Sequence, residues 1–84
     1  MLHCFKNCTV KTFATSNYTR FIEIVEKTKS TMFAANAIVR ISKFENTIAI
    51  YIAYLDNPTV VSLNSDEEGT RFYNIMKSCM MEYV

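Results

Sequence analysis

The side chains best suited to chemistry in this chain are three thiols and one imidazole: Cys4, Cys8, Cys79 and His3. Thiolate and imidazole groups are common zinc ligands, and a bound metal would stabilise so short a chain. The sequence lacks the Cys-x2-Cys pair of a zinc knuckle, however, and free cysteines are among the most buried residue types. We therefore predict buried thiols beside an exposed histidine, with no metal and no other cofactor.

Other catalytic groups are equally sparse. A nucleophilic Cys or Ser needs a neighbouring base, and the only histidine stands near the N-terminus, where chains fray. A single glycine, Gly69, cannot make the Gly-rich loop that holds a phosphate group. The carboxylates of Asp66, Glu67 and Glu68 follow Ser65 at a predicted helix start, where capping explains them. We therefore predict that the chain is not an enzyme.

An alternating segment supplies the best candidate binding surface. The isoleucines at 48, 50 and 52 alternate with small or aromatic residues, so the two sets point to opposite faces of a strand. If helices cover the isoleucines, the other set faces outwards beside polar residues of the preceding strand. An aromatic ring among small, polar and basic side chains is how sheet platforms stack single-stranded RNA. The predicted partner-binding or RNA-binding residues are Arg40, Ser42, Lys43 and Tyr51.

The same surface suits a sheet-to-sheet homodimer. Half of the 84 residues are hydrophobic and 13% are aromatic, which is more apolar surface than one small subunit readily buries. A two-fold dimer brings the same patch together from both copies. We favour the dimer over RNA binding, with Ala49, Tyr51 and Ala53 as the predicted interface. Both can hold, because a dimer can create a groove for RNA.

The net charge and the number of cysteines restrict the partners and the cellular compartment that we predict for this chain. The net charge is only +1, whereas nonspecific nucleic-acid binding normally needs a clear basic excess. No uncharged run approaches the roughly 20 apolar residues that cross a bilayer, and the N-terminus lacks the apolar core of a signal peptide. An odd number of cysteines argues against a disulfide framework. We predict one domain spanning residues 1–84, in the cytoplasm and without membrane contact.

Local patterns predict the elements that would hold these residues. Leu2–Phe13 is rich in strand-forming residues, and Thr15-Ser16-Asn17 then offers a helix N-cap. An amphipathic helix follows, because apolar residues recur at i, i+3, i+4 and i+7; they are Tyr18, Phe21, Ile22 and Val25. Three strands are predicted next, with turns at Glu45-Asn46 and Asp56-Asn57-Pro58; the strands are Phe33–Ile41, Ile48–Tyr54 and Thr59–Leu63.

The C-terminal segment carries the clearest helix signal. Ser65 and Glu68 form a capping box, and three acids suit the positive end of a helix. Apolar residues then keep helical spacing, namely Phe72, Ile75, Met76, Cys79, Met80 and Tyr83. The predicted fold class is therefore α+β in the order β-α-β-β-β-α. An antiparallel β-sheet would carry two helices packed on one face.

In overall character the chain resembles small accessory proteins of T-even-type bacteriophages. The features are its shortness, its single glycine, its abundance of Ile, Asn, Lys, Tyr and Met, and the stretch Thr47–Tyr54. The resemblance implies a non-enzymatic anti-defence inhibitor or adaptor that binds a host protein in the host cytoplasm. A type III toxin–antitoxin ribonuclease, with RNA in the complex, is one such target. The alternative is a single-stranded RNA-binding module that uses an exposed sheet face.

Overall fold

Two antiparallel sheets and one helix make up the fold, in a computed structural model that describes residues 1–81. The first sheet has four strands in chain order: β1 (Leu2–Cys4), β2 (Cys8–Ala14), β3 (Arg20–Glu26) and β4 (Ser30–Ala34). A short 3₁₀ turn, Ala35–Ala37, leads to the second sheet. That sheet has three strands in chain order: β5 (Ile38–Phe44), β6 (Thr47–Ile52) and β7 (Thr59–Ser62). The helix α1 (Asp66–Met81) follows.

The predicted first helix is wrong, because its segment forms strand β3. Ile22 and Ile24 are fully buried on one face of that strand, opposite Thr12 and Val10 of β2. Residues two apart share a strand face, and β-branched side chains favour this pleated surface. The segment therefore carried both a helical and an alternating pattern. Pairing with β2 and β4 on its two sides selected the alternating one.

The predicted N-cap cluster, Thr15-Ser16-Asn17, is instead the turn of the β2–β3 hairpin. The Thr15 backbone N–H donates to the carbonyl of Thr19 at 2.9 Å, and the Tyr18 N–H donates back to the Thr15 carbonyl. Tyr18 has a φ of 63° and is 88% exposed. It belongs to no apolar stripe, so the spacing that included it was fortuitous.

The predicted order β-α-β-β-β-α is likewise wrong, since seven strands precede a single helix within residues 1–81. The predicted strand Leu2–Phe13 is divided between β1 and β2. The predicted strand Phe33–Ile41 is cut by the 3₁₀ turn, which buries Ala35 and moves the chain from one sheet to the other. Two helices on one face of one sheet are thus replaced by two sheets that share one helix.

The C-terminal half agrees better with its local signals. Glu45 and Asn46 turn the chain between β5 and β6, with Glu45 at a φ of 56°. The Ser65 hydroxyl oxygen accepts from the Glu68 backbone N–H at 3.2 Å, as the N-cap of α1 should. The buried stripe of α1 contains Phe72, Met76 and Cys79. Tyr83, predicted to extend that stripe, lies outside the described residues.

Both sheets and the helix contribute to one hydrophobic core. The ring of Phe72 on α1 meets that of Phe5 edge-on, with centroids 5.6 Å apart. The largest fully buried side chains come from both sheets, the β7–α1 connection and α1; they are Val10, Ile22, Ile24, Ile48, Ile50, Val61, Leu63, Phe72 and Met76. Each sheet therefore has one covered face and one face turned outwards. Within residues 1–81, no helix combines the length and apolarity that a membrane crossing requires.

Candidate interaction surface

The second sheet presents an outward surface, which we call the outer face. Directly paired residues of antiparallel strands lie on the same side of a sheet. Because Ile48, Ile50 and Ile52 are buried, the residues between them point away from the core. The pairing register then defines the outer face as Arg40, Ser42 and Phe44 of β5, Thr47, Ala49 and Tyr51 of β6, and Val60 and Ser62 of β7.

A β-bulge at the start of β5 sets which residues reach the outer face. The register shifts between Ile38 and Arg40, leaving Val39 as the extra residue. A bulge re-aims the side chains that follow it. Ile38 is buried and Ile41 packs against the core, although they are three residues apart. Arg40 consequently points outwards, directly opposite Tyr51.

Arg40 and Tyr51 form the polar end of the outer face. The guanidinium carbon of Arg40 lies over the Tyr51 ring, 4.2 Å from its centroid. Such a cation–π contact contributes about 0.5–1 kcal/mol at an exposed site. The ring is only partly exposed. The surface offered to a partner at this end is therefore a planar cation backed by an aromatic ring.

The rest of the outer face combines small polar side chains with apolar ones and carries no charge. Ser42 pairs with Ala49, which in turn pairs with Val60, so small side chains fill its middle row. Val60 in this row is 45% exposed, and at the far end Phe44 is 75% exposed. Arg40 is the one formal charge on this face. Sequence reasoning missed Phe44 and Val60; extending the alternation of Arg40 and Ser42 by two residues would have found Phe44.

Two predicted site residues lie elsewhere. Lys43 pairs with Ile48 and so belongs to the covered side of the sheet, where its ammonium group meets the Asp66 carboxylate at 3.0 Å. It joins β5 to the first turn of α1 and does not share a surface with Arg40. Ala53 is exposed just beyond the end of β6, and its N–H donates to the Ala37 carbonyl at 2.9 Å. It therefore lies at the margin of the outer face.

The thiols and the histidine occupy different environments. Cys4 is exposed on β1, whereas Cys8 on β2 and Cys79 on α1 are buried. Burial, followed by the negative charges of Glu26 and Glu68, raises the pKa of Cys8 from 9.0 to about 11. A thiol with so high a pKa is a poor nucleophile at neutral pH. In the part of the chain that the structure describes, no three His, Cys, Asp or Glu side chains are grouped to hold a metal ion.

Comparison with known proteins identifies no relative of this chain. No family model matches the chain, and neither a curated protein nor a solved structure matches it. The resemblance to phage accessory proteins consequently stays a prediction. What the molecule does has to be argued from its own residues.

Proposed function

We propose that this chain is a non-enzymatic binding protein that recognises another protein through the outer face. The supporting observation is the composition of that face: an exposed phenylalanine and valine, a row of small side chains, and one arginine fixed over a tyrosine. Aromatic residues and arginine are enriched in protein interfaces and dominate their binding energy. The complementary surface would be apolar, with a carboxylate positioned for Arg40.

Charge favours a different protein over a second copy as the occupant of the outer face. The face carries Arg40 and no carboxylate, so two copies meeting there would supply no acid to pair with either arginine. Like charges brought together at an interface cost several kcal/mol. The homodimer expected from the sequence, with Ala49, Tyr51 and Ala53 at its interface, remains a prediction. A mass measurement in solution tests it directly.

The identity of the partner is a further part of the proposal. The resemblance to T-even-type accessory proteins implies a host defence protein met in the host cytoplasm, and a type III toxin–antitoxin ribonuclease is the specific target we propose. Inhibition by a small binder needs no catalytic group. It needs an interface that excludes water around a few anchoring side chains, and Phe44 and Arg40 are the anchors available on the outer face.

The decisive experiment measures binding to a purified type III toxin–antitoxin ribonuclease by calorimetry. Arg40→Glu should weaken binding at least tenfold because it reverses the only charge on the outer face. Lys27→Glu makes the same charge change at an exposed position in the β3–β4 turn and should leave binding unchanged. Absence of binding to the ribonuclease would refute that target.

A photo-cross-linker tests the surface separately from the target. Benzoylphenylalanine at position 44 should form a covalent adduct with the bound ribonuclease. The same group at position 18, which is also highly exposed but lies in the β2–β3 turn, should not. Equal cross-linking from both positions would contradict the use of the outer face.

Single-stranded RNA is the second candidate ligand of the outer face. The guanidinium of Arg40 stacked on Tyr51 is a planar cationic group of the kind on which unpaired bases stack. One cation neutralises about one phosphate, however, so RNA affinity from this face alone would be low. We therefore place protein binding first.

A further inference from the structure

The first sheet also turns one side away from the core, which we call the first-sheet face. Its residues alternate along the strands with the buried Val10, Ile22 and Ile24. Directly paired residues of antiparallel strands share a side of the sheet, so the register arranges this face in three rows across β1–β4. The rows are Phe13, Phe21 and Ala34; then Leu2, Lys11, Glu23 and Met32; and finally Cys4, Thr9, Val25 and Ser30.

The middle row places two opposite charges between two exposed apolar side chains. Lys11 of β2 lies directly opposite Glu23 of β3. Leu2 and Met32 stand at the two ends of the row, and each is 58% exposed. The Glu23 carboxylate accepts from the Ser30 hydroxyl at 3.0 Å, a contact with a neutral group that leaves its negative charge in place. The row is therefore neutral as a whole, with its positive and negative halves side by side.

The two flanking rows add aromatic and apolar surface. The rings of Phe13 and Phe21 are stacked with their centroids 5.9 Å apart, and Phe13 is 44% exposed. On the other side of the middle row, Val25 lies between Thr9 and Ser30. One pair of charges is thus surrounded by uncharged side chains. Protein interfaces have this composition, because charged residues are depleted and aromatic residues enriched at their centres.

A second copy of the chain complements this face in one orientation. When two copies meet face to face, a two-fold axis can run parallel to the strands between β2 and β3. Lys11 of each copy then lies over Glu23 of the other copy, and Leu2 lies over Met32. An axis along the middle row would instead set Lys11 against Lys11, and like charges opposed at an interface are strongly unfavourable. The charges therefore select the first axis.

We propose that the chain forms a homodimer by packing two first-sheet faces together about this axis. A two-fold interface is made of the same patch from both copies, and here the patch is complementary to itself. The two Lys11–Glu23 pairs fix the orientation, and the apolar side chains around them are removed from water. Oligomerisation is a usual supplement to the core of so small a domain. The interface does not use the outer face, so this proposal is independent of the proposed function.

Sedimentation equilibrium from about 1 to 500 μM protein tests the dimer. The measured mass should rise towards twice the 9.7 kDa of one chain. Lys11→Glu and Glu23→Lys should each weaken association at least tenfold, because each sets like charges against one another. Mixed in equal amounts, the two variants should associate again, since one face then carries two acids and the other two bases. Failure of the mixture to associate would contradict the proposed axis.

Matched variants distinguish this interface from the outer face. Met32→Lys should weaken association about tenfold, and it provides a second test if the charge variants fail to fold. Phe44→Lys makes a similar change at an exposed position on an edge strand of the second sheet and should leave association unchanged. Lys77→Glu, on the exposed side of α1, controls for the charge change of Lys11→Glu.

Three results would overturn the proposed dimer. The first is a monomer at every concentration, which would leave the first-sheet face to a different partner. The second is a dimer that withstands Lys11→Glu, Glu23→Lys and Met32→Lys. The third is a dimer that Phe44→Lys dissociates, which would assign the interface to the outer face.

Discussion

Gly69 of α1 lies directly against the backbone of Asn46 in the β5–β6 turn. A Cβ added at Gly69 would stand 3.1 Å from the Asn46 Cα and 3.2 Å from the carbonyl oxygen of Glu45. Glycine inside a helix normally costs about 1 kcal/mol relative to alanine. At this position the missing side chain lets the helix approach the second sheet closely.

Gly69→Ala is therefore expected to destabilise the protein despite the better helix propensity of alanine. Asn46 cannot easily move, because its side-chain amide donates to the Leu63 carbonyl at 2.7 Å and its own carbonyl accepts from the Leu63 N–H at 2.8 Å. Overpacking of this kind costs about 1–3 kcal/mol, which exceeds the propensity gain. Urea unfolding measures the change, with Lys77→Ala as the exposed control on the same helix. A more stable Gly69→Ala protein would show that the turn yields.

The two serines that the sequence offers as helix caps should behave differently. Ser65→Ala removes the acceptor for the Glu68 N–H and is expected to lower the free energy of unfolding by about 1 kcal/mol. Ser16→Ala, in the exposed hairpin turn, should change it by less than about 0.5 kcal/mol. Comparing the two variants tests directly whether Ser16 lies in a hairpin turn and not at a helix N-cap. A larger loss at Ser16 would support a helix there after all.

Cys4 and Cys8 should differ strongly in reactivity towards iodoacetamide. Cys4 is exposed, whereas Cys8 is buried and its pKa is raised to about 11. At pH 8 a thiol of pKa 11 holds about a hundredfold less thiolate than one of pKa 9.0. Mass spectrometry should find Cys4 modified first, and Cys8 only as the pH approaches 11 or after unfolding.

The same raised pKa makes a prediction about alkaline stability. Folding favours the neutral Cys8 thiol, so its contribution to stability is complete below pH 9 and is lost as the pH rises from 9 towards 11. The loss attributable to this group is about 2–3 kcal/mol. A Cys8→Ala protein should show a correspondingly shallower decline over that range. Parallel declines of the two proteins would exclude Cys8 as the cause.

RNA binding by the outer face would have a characteristic salt dependence. With Arg40 as its one cation, the logarithm of the association constant should fall with log salt at a slope of about −0.7. Fluorescence anisotropy with an oligouridine measures it, and Tyr51→Ala should weaken binding while the protein stays folded. A much steeper slope, or no effect of Tyr51→Ala, would assign RNA binding to another surface. No binding at low salt would end the RNA alternative.

The parts of the fold that sequence predicts correctly are those with purely local signals. The Ser65–Glu68 cap and the stripe after it lie within one helix, and the Glu45-Asn46 turn lies within one hairpin. Strand β3 depends instead on neighbours on both of its sides, which no local window contains. The break at Ala35 carries neither Gly nor Pro to mark it.

The candidate surfaces were likewise predicted only where their residues lie close together in the sequence. Alternation alone places Arg40, Ser42, Ala49 and Tyr51 on one face, because it needs only one hairpin in register. Lys43 was misplaced because neighbouring residues of a strand point to opposite faces. A groove beside Arg71 of α1 is lined on its other side by residues of β1, β2 and β3, so its walls come from opposite ends of the chain. No local pattern in the sequence predicts this groove.

The arrangement of the strands bears on how quickly the protein folds. Within residues 1–81 every strand is hydrogen-bonded only to strands next to it in sequence, so both sheets can grow by successive hairpin closures of about 1–10 μs each. Docking of α1 is different, since it brings Phe72 back to Phe5 across most of the chain. Substitutions at the Phe5–Phe72 contact should therefore alter the rate of refolding or unfolding more than substitutions within either sheet. Docking of α1 would then be the step that completes the native state.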